Sequence, residues 1–552
     1  MKSSLDLLCG KDSDVMNDLI ITNVLVWSGA QPKPARGWLA IADGKFSAVG
    51  GPQDEPPMAT QTIDGKGKHI LPSFVDCHSH VSAGAIASIC RSGSSFKCKD
   101  DALKAIEIAA REDDSEWLVF FYVDWNAWDI PVPPTAEELE EASGGRRVLL
   151  VCESLHRGIL SESGLKGCNV SKYLGSDFVE TKRGVLNGIV WEGVFSTCMM
   201  QVLDSVMRAL GEASLKEILK AEANRHLACG ITDAHDPGVT YDMCQHMVEL
   251  NNDSPLRLSW SEIGAKGLLS SAGDGQPLED FGAGPSSAKV FTDGAHRCAM
   301  CVDASQAIKM TLGSLGDAIK GLSPYPVRQL LQEDISFRKG KFYRKGILYK
   351  PKELTNRLQQ LDSSHERIKI HALGNQAVDM VCECVVESGM TTKVCIEHAT
   401  VLDDNNIEKL AKHGFQVSAQ PGFLPHYGPE FASMRLNGRY RGLPLRSLLD
   451  ADVQLIMSSD YPCGPLDPLH NMRCAVERRI KGGDVYLEKE SICQEEAVYA
   501  YTIAGSKGIT GLEKSGIVAG GTADFVVLTG DPFVHSTTVE STWIEGNKVY
   551  QH

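Results

Sequence analysis

Two hydrophobic periodicities alternate along the chain. Short apolar runs rich in β-branched residues read as strands: "HILPSFVDCHSH", "RRVLLVCESLH", "CGITDAHD", "SAKVFTDG", "RIKIHALGN", "KVCIEHAT", "GFQVSAQP" and "DVQLIMSSDYP". Between most of them apolar positions recur at helical spacing, as in "LKEILKAEANRHLA", "QAVDMVCECVVESG" and "DDNNIEKLAKHG". Strand–helix alternation on this scale implies a parallel sheet. Eight such units imply an α/β fold of the (β/α)8 TIM-barrel type.

The ends of the chain have a different texture. "DLIITNVLVWSG" and "GWLAIADGKFSAVG" near the start, and "GIVAGGTADFVVLTGDP" and "STWIEGNKVYQH" at the end, read as short strands joined by Gly-containing turns. Short strands need partners, so both ends are expected to pair into one small β-sandwich domain. The expected organisation is a tail at 1–17, the first part of the sandwich at 18–70, the barrel at 71–504 and the second part at 505–552. A less regular stretch near 88–140 reads as an insertion over the barrel mouth.

Composition narrows the class. Hydrophobic residues at 43% and charged residues at 23% of 552 suit a globular chain with a sizeable core. The formal charge of −16 opposes binding nucleic acid or an anionic membrane through a basic surface. The start, "MKSSLDLLCGKDSDVMNDL", lacks the apolar core of a secretory signal, and no stretch approaches the ~20 apolar residues of a membrane helix. Seventeen cysteines, odd in number and set in apolar contexts, suit reduced thiols in a cytoplasmic enzyme. Cys382 and Cys384, two apart in a helical pattern, read as core residues.

In a (β/α)8 barrel the chemistry sits at the C-terminal ends of the strands. In "LPSFVDCHSH", alternation sends Phe74, Asp76, His78 and His80 to one side. The strand read as second ends in His156, a later one carries Lys289, then come His371 and His398, and the last ends in Asp460. Any one of these is more often a satisfied rim residue than a ligand. Together they point to a metal site, because buried polar groups need partners. His156 is a candidate to bind a substrate carbonyl, and equally a candidate for a plain rim hydrogen bond. His235, among turn-forming neighbours, reads as structural. Trp125 and Trp128 suit either a pocket wall or ordinary packing, and His296 near the mouth stays open.

This ordered set resembles the amidohydrolase superfamily, and within it the branch of YtcJ-like proteins and N-substituted formamide deformylases. "LPSFVDCHSH", "KVFTDG", "IHALGNQAV", "IEHA", "SAQP", "SSDYP" and "GGTADFVVLTGDP" carry the resemblance, from about Asp18 to the end. It implies that His78 and His80 bind one divalent ion, that His371 and His398 hold a second, and that Lys289, carboxylated on its amine, bridges the two. Asp460 would ligate the first ion and act as general base. The implied cofactor is one or two divalent ions, zinc foremost. The implied reaction is metal-dependent hydrolysis of a carbon–nitrogen bond in a small amide, N-substituted formamide or cyclic amide, with hydroxide generated at the metal. The expected partner is a small-molecule substrate, with a homodimer allowed. An esterase or lactonase on the same site, and a non-catalytic scaffold, are the alternatives. No ligand position is lost, which weighs against the scaffold. Three positions depart from the family pattern: Asn375 replaces an Asp, "AHRCA" follows "TDG", and Ser161 replaces an Asn. The departures bear on the substrate more than on the reaction.

Overall fold

The computed structural model describes residues 16–29, 33–176, 178–262, 287–294, 298–320, 335–362 and 366–552. His296 and most of the 1–17 tail lie outside the described residues. At the centre is a sheet of eight strands: β1 Phe74–Asp76, β2 Ile231–Val239, β3 Arg257–Glu262, β4 Ser287–Phe291, β5 Arg367–Ala372, β6 Val394–His398, β7 Gln416–Ala419 and β8 Gln454–Met457. Neighbours pair in parallel and in chain order. At the mouth β8 meets β1 again: Asp460 N–H donates to the His78 carbonyl at 2.8 Å, and His80 N–H to the Tyr461 carbonyl at 2.6 Å. The result is a nearly closed (β/α)8 barrel.

Alternation along the strands explains what fills it. Ile368, Ile370, Val394, Ile396 and Val417 join the large apolar core, Phe74 with them. The residues between them, Lys369, Glu397 and Ser418, are fully buried and polar. Lys369 Nζ donates to the Cys77 carbonyl at 2.7 Å and to Glu397 Oε1 at 3.3 Å, joining β5, β6 and the turn after β1. A buried network of this kind is tolerated because its members find partners.

Two expectations about the barrel fail. "RRVLLVCESLH" is not a barrel strand: Arg147–Val151 lies in a separate six-stranded sheet with Arg91–Ser92, Trp117–Phe121, Arg157–Leu160, Val179–Lys182 and Val185–Trp191. Leu149 and Val151 pack into one cluster with the helix Glu192–Leu210, while Val148 and Leu150 pack into another with the helices Lys99–Glu112 and Ala136–Ser143. A strand buried on both faces is a continuous apolar run wherever it sits, so its pattern does not name its sheet. The inserted layer therefore extends well beyond 140. The barrel strand in its place is β3, "RLSWSE". There Leu258 and Trp260 pack outward, while Ser259 and Ser261 bind the two ring nitrogens of His235 at 2.8 and 3.0 Å.

The terminal segments form one hydrogen-bonded sheet of eight strands, five from Asn17–Pro72 and three from Phe525–Gln551. Phe525–Leu528 pairs antiparallel with His69–Pro72, and Phe525 stacks on Trp543 at 5.2 Å. Truncating a buried aromatic such as Phe525 to Ala typically costs about 3–5 kcal/mol. Among the described residues no helix is long and apolar enough to cross a membrane, and the described cysteines are all free.

Candidate metal centre and active site

The turn after β1 aims two imidazoles at one carboxylate. His78 Nε2 lies 3.2 Å and His80 Nε2 3.4 Å from Asp460 Oδ1. The three form a group whose donor atoms all lie within 4.8 Å of one another. Asp460 follows β8 in the left-handed region (φ +54°), as does His398 at the end of β6 (φ +75°). Non-glycine residues rarely adopt this conformation, and such backbone concentrates at functional sites.

His78 is oriented from behind. Its Nδ1–H donates to Glu397 Oε2 at 2.6 Å, which fixes the ring with Nε2 toward Asp460. Burial would raise the Glu397 pKa, but Lys369 and His78 outweigh it and hold the carboxyl well below its usual range. His398 is fixed in the same way: Nδ1–H donates to Gln420 Oε1 at 2.9 Å, and the Gln420 amide is anchored on Ser458 Oγ at 2.9 Å. Glu397 and Gln420 were not singled out from the sequence. Each lies inside a strand motif, "IEHA" and "SAQP", and alternation alone did not reveal which ring it serves.

The remaining candidates gather beside this group. The ring centroids run His80–His78 5.4 Å, His78–His398 5.1 Å, His398–His371 4.5 Å and His371–His156 5.1 Å. Burial keeps His371 well below its ordinary pKa and pushes His398 down to about 3, so both are neutral imidazoles. His371 Nε2 and Lys289 Nζ are buried with no hydrogen-bond partner. Burial lowers the Lys289 amine to about 8. Two orphaned nitrogens in one cavity mark a place where a further group belongs.

His156 comes from a turn of the inserted sheet and not from a second barrel strand. Its Nδ1–H donates to Glu192 Oε2 at 2.6 Å. Burial alone would lower its pKa, but Glu192 outweighs burial and raises it. Gly294, the glycine of "TDG", packs against this pair: a Cβ there would collide with the Glu192 carboxylate.

Other candidates resolve differently. Asp293 is taken up by backbone, accepting from Leu373 N, Ala299 N and Gly374 N at 2.9–3.0 Å. Asn375 pairs with the Cys301 backbone, accepting its N–H at 2.8 Å and donating to its carbonyl at 2.7 Å. That contact needs an amide, so the Asn is accounted for away from the ligands. Ser161 caps the helix Glu162–Gly167. Trp125 and Trp128 are buried in the inserted layer's core, with the Arg157 guanidinium 4.1 Å from the Trp125 ring centre. A second candidate metal group, also missed, is Asp124, Glu153 and His426. There His426 Nε2 lies 3.2 Å from Asp124 and 2.9 Å from Glu153, tying the inserted layer to the helix Leu424–Ser433.

One cavity of about 130 Å³ is lined by His78, His80, His156, Lys289, His371, His398 and Asp460, and on its far side by the helix Glu192–Leu210. The sequence model of the amidohydrolase family matches residues 61–550. The chain belongs to the amidohydrolase family. It is similar to the N-substituted formamide deformylase of Arthrobacter pascens, 23% identical with 94% of each chain covered. It is also similar to the putative amidohydrolase YtcJ of Bacillus subtilis (strain 168), 25% identical over 89% of this chain and 91% of that one. In fold it is similar to an uncharacterized metal-dependent hydrolase from Pyrococcus horikoshii OT3, with a TM-score of 0.65, 17% identity, and 97% of this chain and 99% of that one covered. This amidohydrolase is thus an enzyme acting on carbon–nitrogen bonds, and its barrel mouth holds residue groups suited to a metal.

Proposed function

We propose that this amidohydrolase hydrolyses the carbon–nitrogen bond of a small amide, N-substituted formamide or cyclic amide, with a divalent metal held at the barrel mouth. The observation that carries the reading is the convergence of His78 Nε2 and His80 Nε2 on one Asp460 oxygen, with the orphaned His371 Nε2 and Lys289 Nζ in the same cavity. Neutral imidazoles and a carboxylate are the donor set of zinc. His78, His80 and Asp460 would hold one ion, and His371 and His398 a second, with a carboxylated Lys289 between them. A bound ion supplies Lewis acidity and makes nearby water acidic near neutral pH.

The chain's own groups do the rest. Burial works against charge on Asp460, but His78 and His80 outweigh it and keep the carboxylate ionised. Ionised and at the mouth, it is the group placed to accept a proton from the attacking water and pass it to the leaving nitrogen. His156, its Nδ1–H engaged by Glu192, presents Nε2–H to the carbonyl oxygen when protonated, which its raised pKa favours. The similarity to a protein named N-substituted formamide deformylase supports the substrate class.

The test is turnover of zinc-loaded protein on matched amides, N-substituted formamides, lactams, esters and lactones. Hydrolysis of a nitrogen-linked member is expected, with Asp460→Asn lowering kcat by at least ~10²-fold in a folded protein. Turnover confined to esters and lactones would contradict the reading. Near-normal kcat in the folded Asn variant would assign the base elsewhere.

A further inference from the structure

Away from the histidines the cavity is walled by Ile86, Met199, Met200, Leu203, Met207 and Met243. Four of these lie on the helix Glu192–Leu210, at spacings that put them on one face. Flexible thioethers and aliphatic groups suit an apolar substituent of variable shape. Two polar groups interrupt this wall. Asp204, on the same helix, lines the cavity, and its Oδ1 is buried with no hydrogen-bond partner. Thr240 lines it too; its Oγ1 is likewise unpartnered and caps no helix N–H, although it stands at the start of the helix Tyr241–Asp253.

Asp204 is half-buried in this wall, and a carboxylate set among apolar groups, with one oxygen that no protein group binds, favours a cation beside it. Burial, and then the neighbouring Asp242, raise the Asp204 pKa, while Arg208 one turn along partly opposes them. A cation would relieve both the desolvation and the repulsion. The net charge of −16 also favours cations over anions at the surface.

We infer that Asp204 and Thr240 form a specificity subsite for a cationic group, an ammonium carried on the apolar substituent of the substrate amide. The inference rests on the functional reading above for where the scissile bond sits. The substrate class is then an amide whose substituent is apolar along its length and positively charged at its end.

Two probe pairs keep the subsite and the reaction distinguishable. In turnover, N-formyl-1,6-diaminohexane is compared with N-formylheptylamine, which replaces the ammonium by a methyl group. In direct calorimetric binding to the metal-loaded protein, heptylammonium is compared with 1-heptanol, a readout that needs no hydrolysis. The wild type is expected to prefer the cation by about 10-fold or more in both, the size of a charge-assisted hydrogen bond. Asp204→Asn should collapse both preferences. Asp204→Ser serves if the Asn variant misfolds by circular dichroism. Equal binding of the two heptyl probes by the wild type would overturn the subsite, as would a cation preference that survives in a folded Asp204 variant. Absence of turnover with the binding preference intact would overturn the reaction and leave the subsite standing.

Discussion

Lys289 puts an amine where cations would gather. Its Nζ has no hydrogen-bond partner, and burial lowers it to about 8, so part of the population is a free amine at neutral pH. A free amine can add dissolved CO₂, and the resulting anion has two oxygens with which to bridge two ions. Lys289→Ala should therefore lose most activity and the bridged metal, with propionate partly restoring both by standing in for the carbamate. An unmodified ammonium turned away from a fully metal-loaded site in an experimental structure would reject the bridge and require another carboxylate. The four candidate ligand histidines were legible because each stands at or just past the C-terminal end of an apolar run, and Lys289 because it is a charged residue in the middle of one, in β4. Glu397, Gln420 and Glu192 were less so: their work is to hold a ring nitrogen, and pairs such as His78–Glu397 are 319 residues apart in sequence. Asn375, where the family pattern has an Asp, has a local structural reason: it makes a two-way contact with the Cys301 backbone that needs an amide.

At the scale of elements, the inserted layer is where pattern reading was weakest. Arg147–Val151 and the barrel strands are alike in composition because both are covered on two faces. β3 was passed over because its serines interrupt the apolar run, although Ser259 and Ser261 serve His235 inside the barrel. The layer nevertheless delivers His156 and Glu192 to the mouth, and His426 clasps it to the barrel side through Asp124 and Glu153. Burial opposes charge on His426, but the two carboxylates outweigh it and raise its pKa to about 10. The unfolded value is near ~6.5, so the stabilisation is complete below that pH and is lost as pH rises toward the folded value. Comparing thermal midpoints of the wild type and His426→Gln across pH should show the largest gap near pH ~6, closing toward pH ~10. A gap that stays constant through that range would contradict a charged clasp.

At the scale of the whole molecule, barrel closure and the candidate site share the same residues. β1 and β8 meet through the backbone of His78, His80, Asp460 and Tyr461, so three residues that complete the barrel are also candidate ligands. The fold class was readable because strand–helix alternation persists around the barrel, and the terminal sheet because both ends share a strand-and-turn texture. The limits of the insertion were not, since they depend on which sheet an apolar run joins. A metal held by residues just after β1 and β8 and at the ends of β5 and β6 would tie the two edges of the barrel to its opposite side. The most direct test of the account is therefore the metal content of purified protein by elemental analysis, measured alongside turnover before chelation, after it and after zinc is restored. The account predicts about one to two divalent ions per chain, activity lost in proportion as they are stripped, weaker binding as pH falls through the histidine range, and recovery on re-addition. Full turnover by thoroughly metal-free protein would contradict it.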